Sequence, residues 1–262
     1  MFLPGPSDSG VVFERRDLRP VVSIPARVEY VTGTERRTTI GKPPHHVGLV
    51  EHVLATLAGL RIDNCVVQLD APEPPGLDGS ARRFVEVLNG AGIQLQGARR
   101  AICTSVCPVV VSRHGATLKL YPGEDQLKIS YLVDYGLGAP IGRQLRSQII
   151  TPEHFANDVA ACRTFILESE AVELRRQGLG ARTTAADLLV FGRRGPIDNR
   201  LRYADEPARH KILDLIGDLS LFGHDLRGHL VAYRSGHPLN VELAAILTRA
   251  LQGQSLRVNK AA

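Results

Sequence analysis

The chain has 262 residues, 44% apolar and 23% charged, the balance of a soluble globular protein with room for two ordinary domains or one large one. Lys and Arg outnumber Asp and Glu by 32 to 27, an excess that suits an anionic partner such as a nucleic acid, a phosphorylated metabolite or a membrane surface. The basic residues lie in short pairs (Arg99-Arg100, Arg175-Arg176, Arg193-Arg194), which excludes a polybasic tail, and no apolar run is long enough to span a bilayer.

The N-terminus, MFLPGPSDSG, lacks a basic region followed by an apolar core. No secretion signal is expected, and a cytoplasmic location is. VVFERR, VVSIPARVEYV and RRTTI read as short strands with turns at Pro and Gly. VEHVLATLAGLRIDN follows, with Val50, Val53, Leu54 and Leu57 at helical spacing and a stop at Gly59. NCVVQLD reads as a buried strand. APEPPGLDGS is a turn-rich loop in which Asp78 or Ser80 can cap a helix, SARRFVEVLNGAG.

Near residue 100 the order restarts. CPVVVSRHG, ATLKLYPG and LKISYLVDY alternate as strands do. TPEHFANDVA opens a helix with a capping Thr and a Pro at its first position. ESEAVELRRQGLG is a polar helix, ADLLVFG a strand, and RYADEPARHKILDLIGDLSLFG a long amphipathic helix. HLVAYRSGHPLN is a strand with its exit loop, and VELAAILTRALQ is a last helix. The reading is an α+β protein in two segments, 1–100 and 101–262, with a βαβ-like insertion near 166–195 in the second. Cys65, Cys103, Cys107 and Cys162 are expected as reduced thiols. Cys103 and Cys107 lack a second pair to complete a metal site, and read as small buried side chains.

In ARHKILDLIGDL, His210 and Asp214 stand one helical turn apart on one face, and Asp218 extends the stripe. An imidazole and a carboxylate in that relation suit Zn²⁺. A third ligand must come from elsewhere, and His52 is the candidate. Glu51 would then stand beside the open coordination position, where a carboxylate can act as a general base. His237 could supply an acid on the other side of a scissile amide, kept protonated by Asp218. Thr164 could donate its hydroxyl to a developing oxyanion. Taken singly, each of these residues has a plainer reading: a surface pair, a core histidine, a backbone contact, a cap.

VEHVLATLAGLRIDN, APEPPGLDGSARRFV, CRTF, RHKILDLIGDL and SGHPLN occur in this order and together resemble the UDP-3-O-acyl-N-acetylglucosamine deacetylase family, the zinc amidases of lipid A biosynthesis. The resemblance covers most of the chain, from about residue 11 to 250. It implies two similar β-α-α-β domains, each a sheet packed on two helices, with the active site between them. It puts the zinc ligands on His52, His210 and Asp214, and the general base on Glu51. The essential histidine falls on His237, assisted by Asp218, with Thr164 near the carbonyl oxygen. Lys211, Gly236 and Tyr135 fall in the substrate site. The implied reaction is hydrolysis of the 2-acetamido group of a UDP-linked acylated glucosamine, with no nucleic acid and at most transient contact with a membrane surface.

Three departures stand out. Family members begin with a strand and a glycine-rich turn ending in His-Ser-Gly, and this sequence starts after that point. Either the true start lies upstream, or the first sheet lacks a strand, which would open a sheet edge and remove a lip of the active site. After Gly178, GLGARTTAADLLVFG replaces paired glycines and an Asn-Ala in the insert that shapes the acyl passage. DYGLGAP replaces a Phe-x-His-Pro-like stretch at the nucleotide end, with Tyr135 as the substitute aromatic. Two other readings compete. A non-catalytic UDP-sugar-binding homologue is disfavoured because every catalytic position holds a competent residue. A basic nucleic-acid-binding module is disfavoured because aromatics are only 5% and no RNA-binding motif appears.

Overall fold

The computed structural model describes residues 1–123, 125–178, 180, 183–253 and 256–260. The chain opens with strands β1 (Phe2–Pro4), β2 (Val11–Arg15) and β3 (Val22–Pro25). A 3-10 turn leads to β4 (Val31–Gly33), β5 (Thr39–Lys42) and β6 (His45–Val47), which form a small antiparallel sheet. Helix α1 (Glu51–Gly59), strand β7 (Cys65–Leu69) and helix α2 (Arg82–Ala91) follow. β7 inserts between β1 and β2, antiparallel to one and parallel to the other, giving a sheet of order β1-β7-β2-β3. Alternation drives this sheet: Cys65, Val67 and Leu69 point into the core, and the residues between them do not.

The second stretch begins with β8 (Ala101–Ser105), β9 (Val109–Arg113), β10 (Ala116–Tyr121), β11 (Leu127–Val133) and β12 (Gln144–Ile149). Then come one turn of helix, α3 (Pro152–His154), a π-helical turn at Phe155–Val159, β13 (Phe165–Leu167), α4 (Glu168–Arg176), β14 (Leu189–Gly192) and β15 (Gly195–Pro196). The chain ends with α5 (Glu206–Ser220), β16 (Asp225–Tyr233), α6 (His237–Gln252) and β17 (Leu256–Lys260). β16 is the spine of a seven-stranded sheet, parallel to β11 and β8 and antiparallel to β10. α5 packs on β11 and β12, and α6 on β9 and β10. β13 and β14 run parallel with α4 between them. Within the segment where the acyl passage was expected, Leu179, Ala181 and Arg182 lie outside the described residues.

Several details differ from the sequence reading. The long helix starts at Glu206, where Pro207 suits the first turn, and from there to Leu219 every residue except Lys211 is buried. It is a central helix rather than a surface one, so its charged residues need partners inside. RSGHPLN is only partly an exit loop: α6 begins at His237, with Pro238 in its first turn. The glycine and proline read as loop signals, but Pro in a first turn is a helix starter. Thr151 caps α3 as expected, its Oγ1 accepting from the His154 N–H at 3.1 Å, but the helix passes into a π turn after one turn. Cys107 is exposed, unlike the buried Cys65, Cys103 and Cys162, because it follows β8 in a surface turn. β12 escaped the sequence reading because it is a largely exposed edge strand with a polar sequence.

α1 lies directly on α5. At Gly217 the two backbones approach so closely that an added Cβ would stand 2.1 Å from the Glu51 carbonyl oxygen. No side chain fits there. Gly217→Ala is expected to destabilise the protein by at least about 1–3 kcal/mol, the usual cost of overpacking, read as a fall in thermal midpoint.

Candidate metal centre and active site

The crossing of α1 and α5 brings two distant stretches of sequence together. α1 presents Glu51 and His52 in its first turn, and α5 presents His210, Asp214 and Asp218 along one stripe. All five side chains are buried. His210 Nε2 is 3.2 Å from Asp214 Oδ1, and His52 Nε2 is 3.7 Å from the same oxygen. The potential ligand atoms of the three residues lie within 4.8 Å of one another. The two imidazoles meet edge to face, with centroids 5.2 Å apart.

The donor chemistry fits a cation. His210 Nδ1 lies 3.1 Å from the Cys162 carbonyl oxygen, a contact that requires Nδ1 to carry the proton. Nε2 then turns its lone pair toward the cluster. Burial lowers the His210 pKa against the pull of Asp214. Burial pushes the Asp214 carboxyl up, but His210 and Lys211 outweigh it and hold it well below the usual carboxylate range. An imidazole lone pair and a carboxylate oxygen 3.2 Å apart repel unless a proton or a metal cation stands between them. His52, His210 and Asp214 can therefore hold a metal ion through two nitrogens and one oxygen.

Around this cluster are two acid–base groups. Burial raises the Glu51 pKa, with His237 and His52 opposing it. His237 stands at the start of α6 with Nδ1 2.9 Å from Asp218 Oδ2. Burial lowers its pKa, but Asp218 more than compensates and brings it to about 9. Asp218 is itself held by Asn240 Nδ2 at 2.8 Å and by the Thr38 hydroxyl at 2.6 Å. Lys211 donates to Asp214 Oδ2 at 2.9 Å and lies 5.5 Å over the Phe165 ring. Burial disfavours its charge, but Asp214 raises its pKa above the ordinary lysine value.

Thr164, Tyr135 and Gly236 sit around the cluster rather than in it. Thr164 is two residues from the carbonyl that orients His210 and next to Phe165, whose ring meets His210 edge-on at 6.1 Å. Its backbone is pinned on both sides, N–H to Gly79 O and C=O to the Leu189 N–H. The preceding residue, Arg163, is buried and forked onto Glu206 at 2.9 and 3.1 Å, which fastens this loop to the first turn of α5. Tyr135 is partly exposed and meets Phe165 edge-on at 6.1 Å. It lines a cavity of about 160 Å³ together with Lys211, Asp134, Arg234 and Ser235. Gly236 caps α6 between that cavity's wall and His237.

A family model described as LpxC, UDP-3-O-acyl N-acetylglycosamine deacetylase, matches residues 1–249. The chain belongs to this family. A curated relative from Chlamydia abortus, called UDP-3-O-acyl-N-acetylglucosamine deacetylase, is 39% identical over 250 residues, covering 95% of this chain and 89% of the relative. Relatives of the same name from Chlamydia muridarum and Chlamydia pneumoniae are each 38% identical over 95% of this chain, with 87% and 89% of their own lengths covered. A catalytic zinc commonly takes three protein ligands, and the cluster on α1 and α5 is the one group of that kind among the described residues.

Sequence reasoning missed three parts of this site. Asn240 was legible, since it stands one turn along α6 from His237 on the same face. The Cys162 carbonyl and Thr38 carry no signal, because a backbone oxygen and a loop hydroxyl belong to no motif. Elemental analysis is expected to find about one divalent ion per chain. His52→Ala and Asp214→Ala should each lose it, and Asp218→Asn should keep it.

Proposed function

We infer that the protein removes the 2-acetyl group of UDP-3-O-acyl-N-acetylglucosamine by hydrolysis, with Zn²⁺ held by His52, His210 and Asp214. The supporting observation is the convergence of these three buried side chains where α1 crosses α5, with Glu51 beside His52 on α1 and His237 bonded to Asp218 of α5. Water adds its hydroxyl to the acetyl carbon, the amide C–N bond breaks, and acetate and a free amine result. When bound, the ion supplies Lewis acidity, polarising the amide carbonyl and acidifying water.

The chain's own groups do the remaining work. Glu51 accepts the proton of the attacking water. Its raised pKa makes it a stronger base than an exposed carboxylate, which suits a proton acceptor near neutrality. His237 supplies a proton toward the leaving amine, and Asp218 keeps it charged until then. Thr164 donates to the carbonyl oxygen. Lys211 and Arg234, on the cavity beside Tyr135, supply positive charge for the diphosphate. The reading gives the protein a cytoplasmic setting, needs no nucleic acid, and asks for no more than brief contact with a membrane surface. No helix among the described residues is long and apolar enough to cross a membrane.

The test is acetate release from the UDP-linked substrate, with and without a chelator. Turnover should need the metal. Glu51→Ala should retain the ion and lose about 10²- to 10⁴-fold in kcat, the usual worth of a positioned base. Full turnover by Glu51→Ala would overturn its role. The protonated His237 predicts that activity falls as pH rises through about 9. Asp218→Asn removes the largest raising influence, so this alkaline limb should move to lower pH in a kcat profile.

A further inference from the structure

We propose that Thr38 is a positioning residue for both acid–base groups, fixing Asp218 against His237 through its hydroxyl and Glu51 through its amide. The proposal rests on the roles given above to Glu51 and His237.

Thr38 is fully buried in the connection that leads into β5. Its three polar groups all reach functional elements. Oγ1 donates to Asp218 Oδ1 at 2.6 Å, across 180 positions of sequence. The amide N–H donates to Glu51 Oε2 at 3.0 Å. The carbonyl accepts from the Val50 N–H at 3.3 Å, at the entry to α1. A buried threonine with no such task bonds a nearby backbone carbonyl. This one spends its hydroxyl on a carboxylate of another helix.

The geometry has two consequences. Asp218 Oδ2 receives His237 and Asn240, and among the described residues only Thr38 holds Oδ1. The three bonds together fix the plane of the carboxylate, and so the direction in which His237 is held. At Glu51 the Thr38 amide occupies Oε2 and leaves Oε1 with no hydrogen-bond partner among the described residues, open to take a proton. Side-chain replacement at Thr38 separates the two functions, because the amide stays.

The charged groups facing His237 are Asp218 and Asp214 from α5 and Glu51 from α1. A hydrogen bond to Asp218 stabilises its anion most when His237 is neutral and no longer neutralises it. Removing the Thr38 hydroxyl therefore favours the protonated imidazole, and the His237 titration should move to higher pH. This is the opposite direction to Asp218→Asn.

The experiment uses zinc-loaded wild type, Thr38→Val and Thr38→Ser, with Thr38→Ala in reserve should the Val protein not fold. Three things are read: metal content, kcat and KM against pH, and the His237 imidazole titration by NMR. Thr38→Val should keep the metal and its KM, lose about 10- to 100-fold in kcat as outer contacts of such sites do, and shift the imidazole titration and the alkaline limb upward. Thr38→Ser should restore both. A Val variant with unchanged kcat and an unmoved titration overturns the proposal, as does a Ser variant as impaired as Val. If wild type releases no acetate, the deacetylase reading fails by itself. The NMR titration then still decides whether Thr38 governs Asp218 and His237, an unmoved titration overturning the proposal and an upward shift supporting it.

Discussion

The close contact of two backbones, α5 at Gly217 and α1 at Glu51, is the constraint on which the site depends. Gly217 lies between Asp214 and Asp218, and the carbonyl it meets belongs to Glu51, the residue before His52. Any side chain there would push α1 away from α5, and His52 with it. The distance from His52 to Asp214 follows from a missing methyl group. Interiors are close-packed and do not absorb such a displacement softly.

A second constraint comes from charge. α5 buries Glu206, Arg209, His210, Asp214 and Asp218, a set that solvation would keep outside. Each has found a partner. Glu206 holds Arg163, Arg209 holds Asp205 and Asp158, Asp214 holds Lys211, and Asp218 holds His237, Asn240 and Thr38. Desolvation makes such pairs weak contributors to stability, and removing one member leaves the other stranded. The helix is therefore organised for chemistry, and the sheets and the surrounding apolar residues carry the fold.

The stripe His210–Asp214–Asp218 could be read from spacing, because one helix fixes the geometry of residues four apart. Glu51 and His52 stand in sequence at the start of an otherwise largely apolar helix. That the two helices meet could not be read, since nothing in either stretch encodes the other; the family resemblance supplied it. The sequence around His237 reads as a loop because glycine and proline are ambiguous between a turn and a helix start. The burial of α5 was underestimated because charged residues normally signal solvent. Thr38 was silent for the opposite reason: its sequence surroundings, ERRTTIG, resemble any strand entrance.

The three side chains that can hold a metal come from helices far apart in the chain, and the first of them belongs to the opening third. Their convergence exists only once α1 and α5 have packed together. An ion bound there favours the folded state over the unfolded one by mass action. Heat resistance then becomes a function of free metal concentration, and metal starvation in a cell would lower the protein's abundance through unfolding and proteolysis as well as its activity.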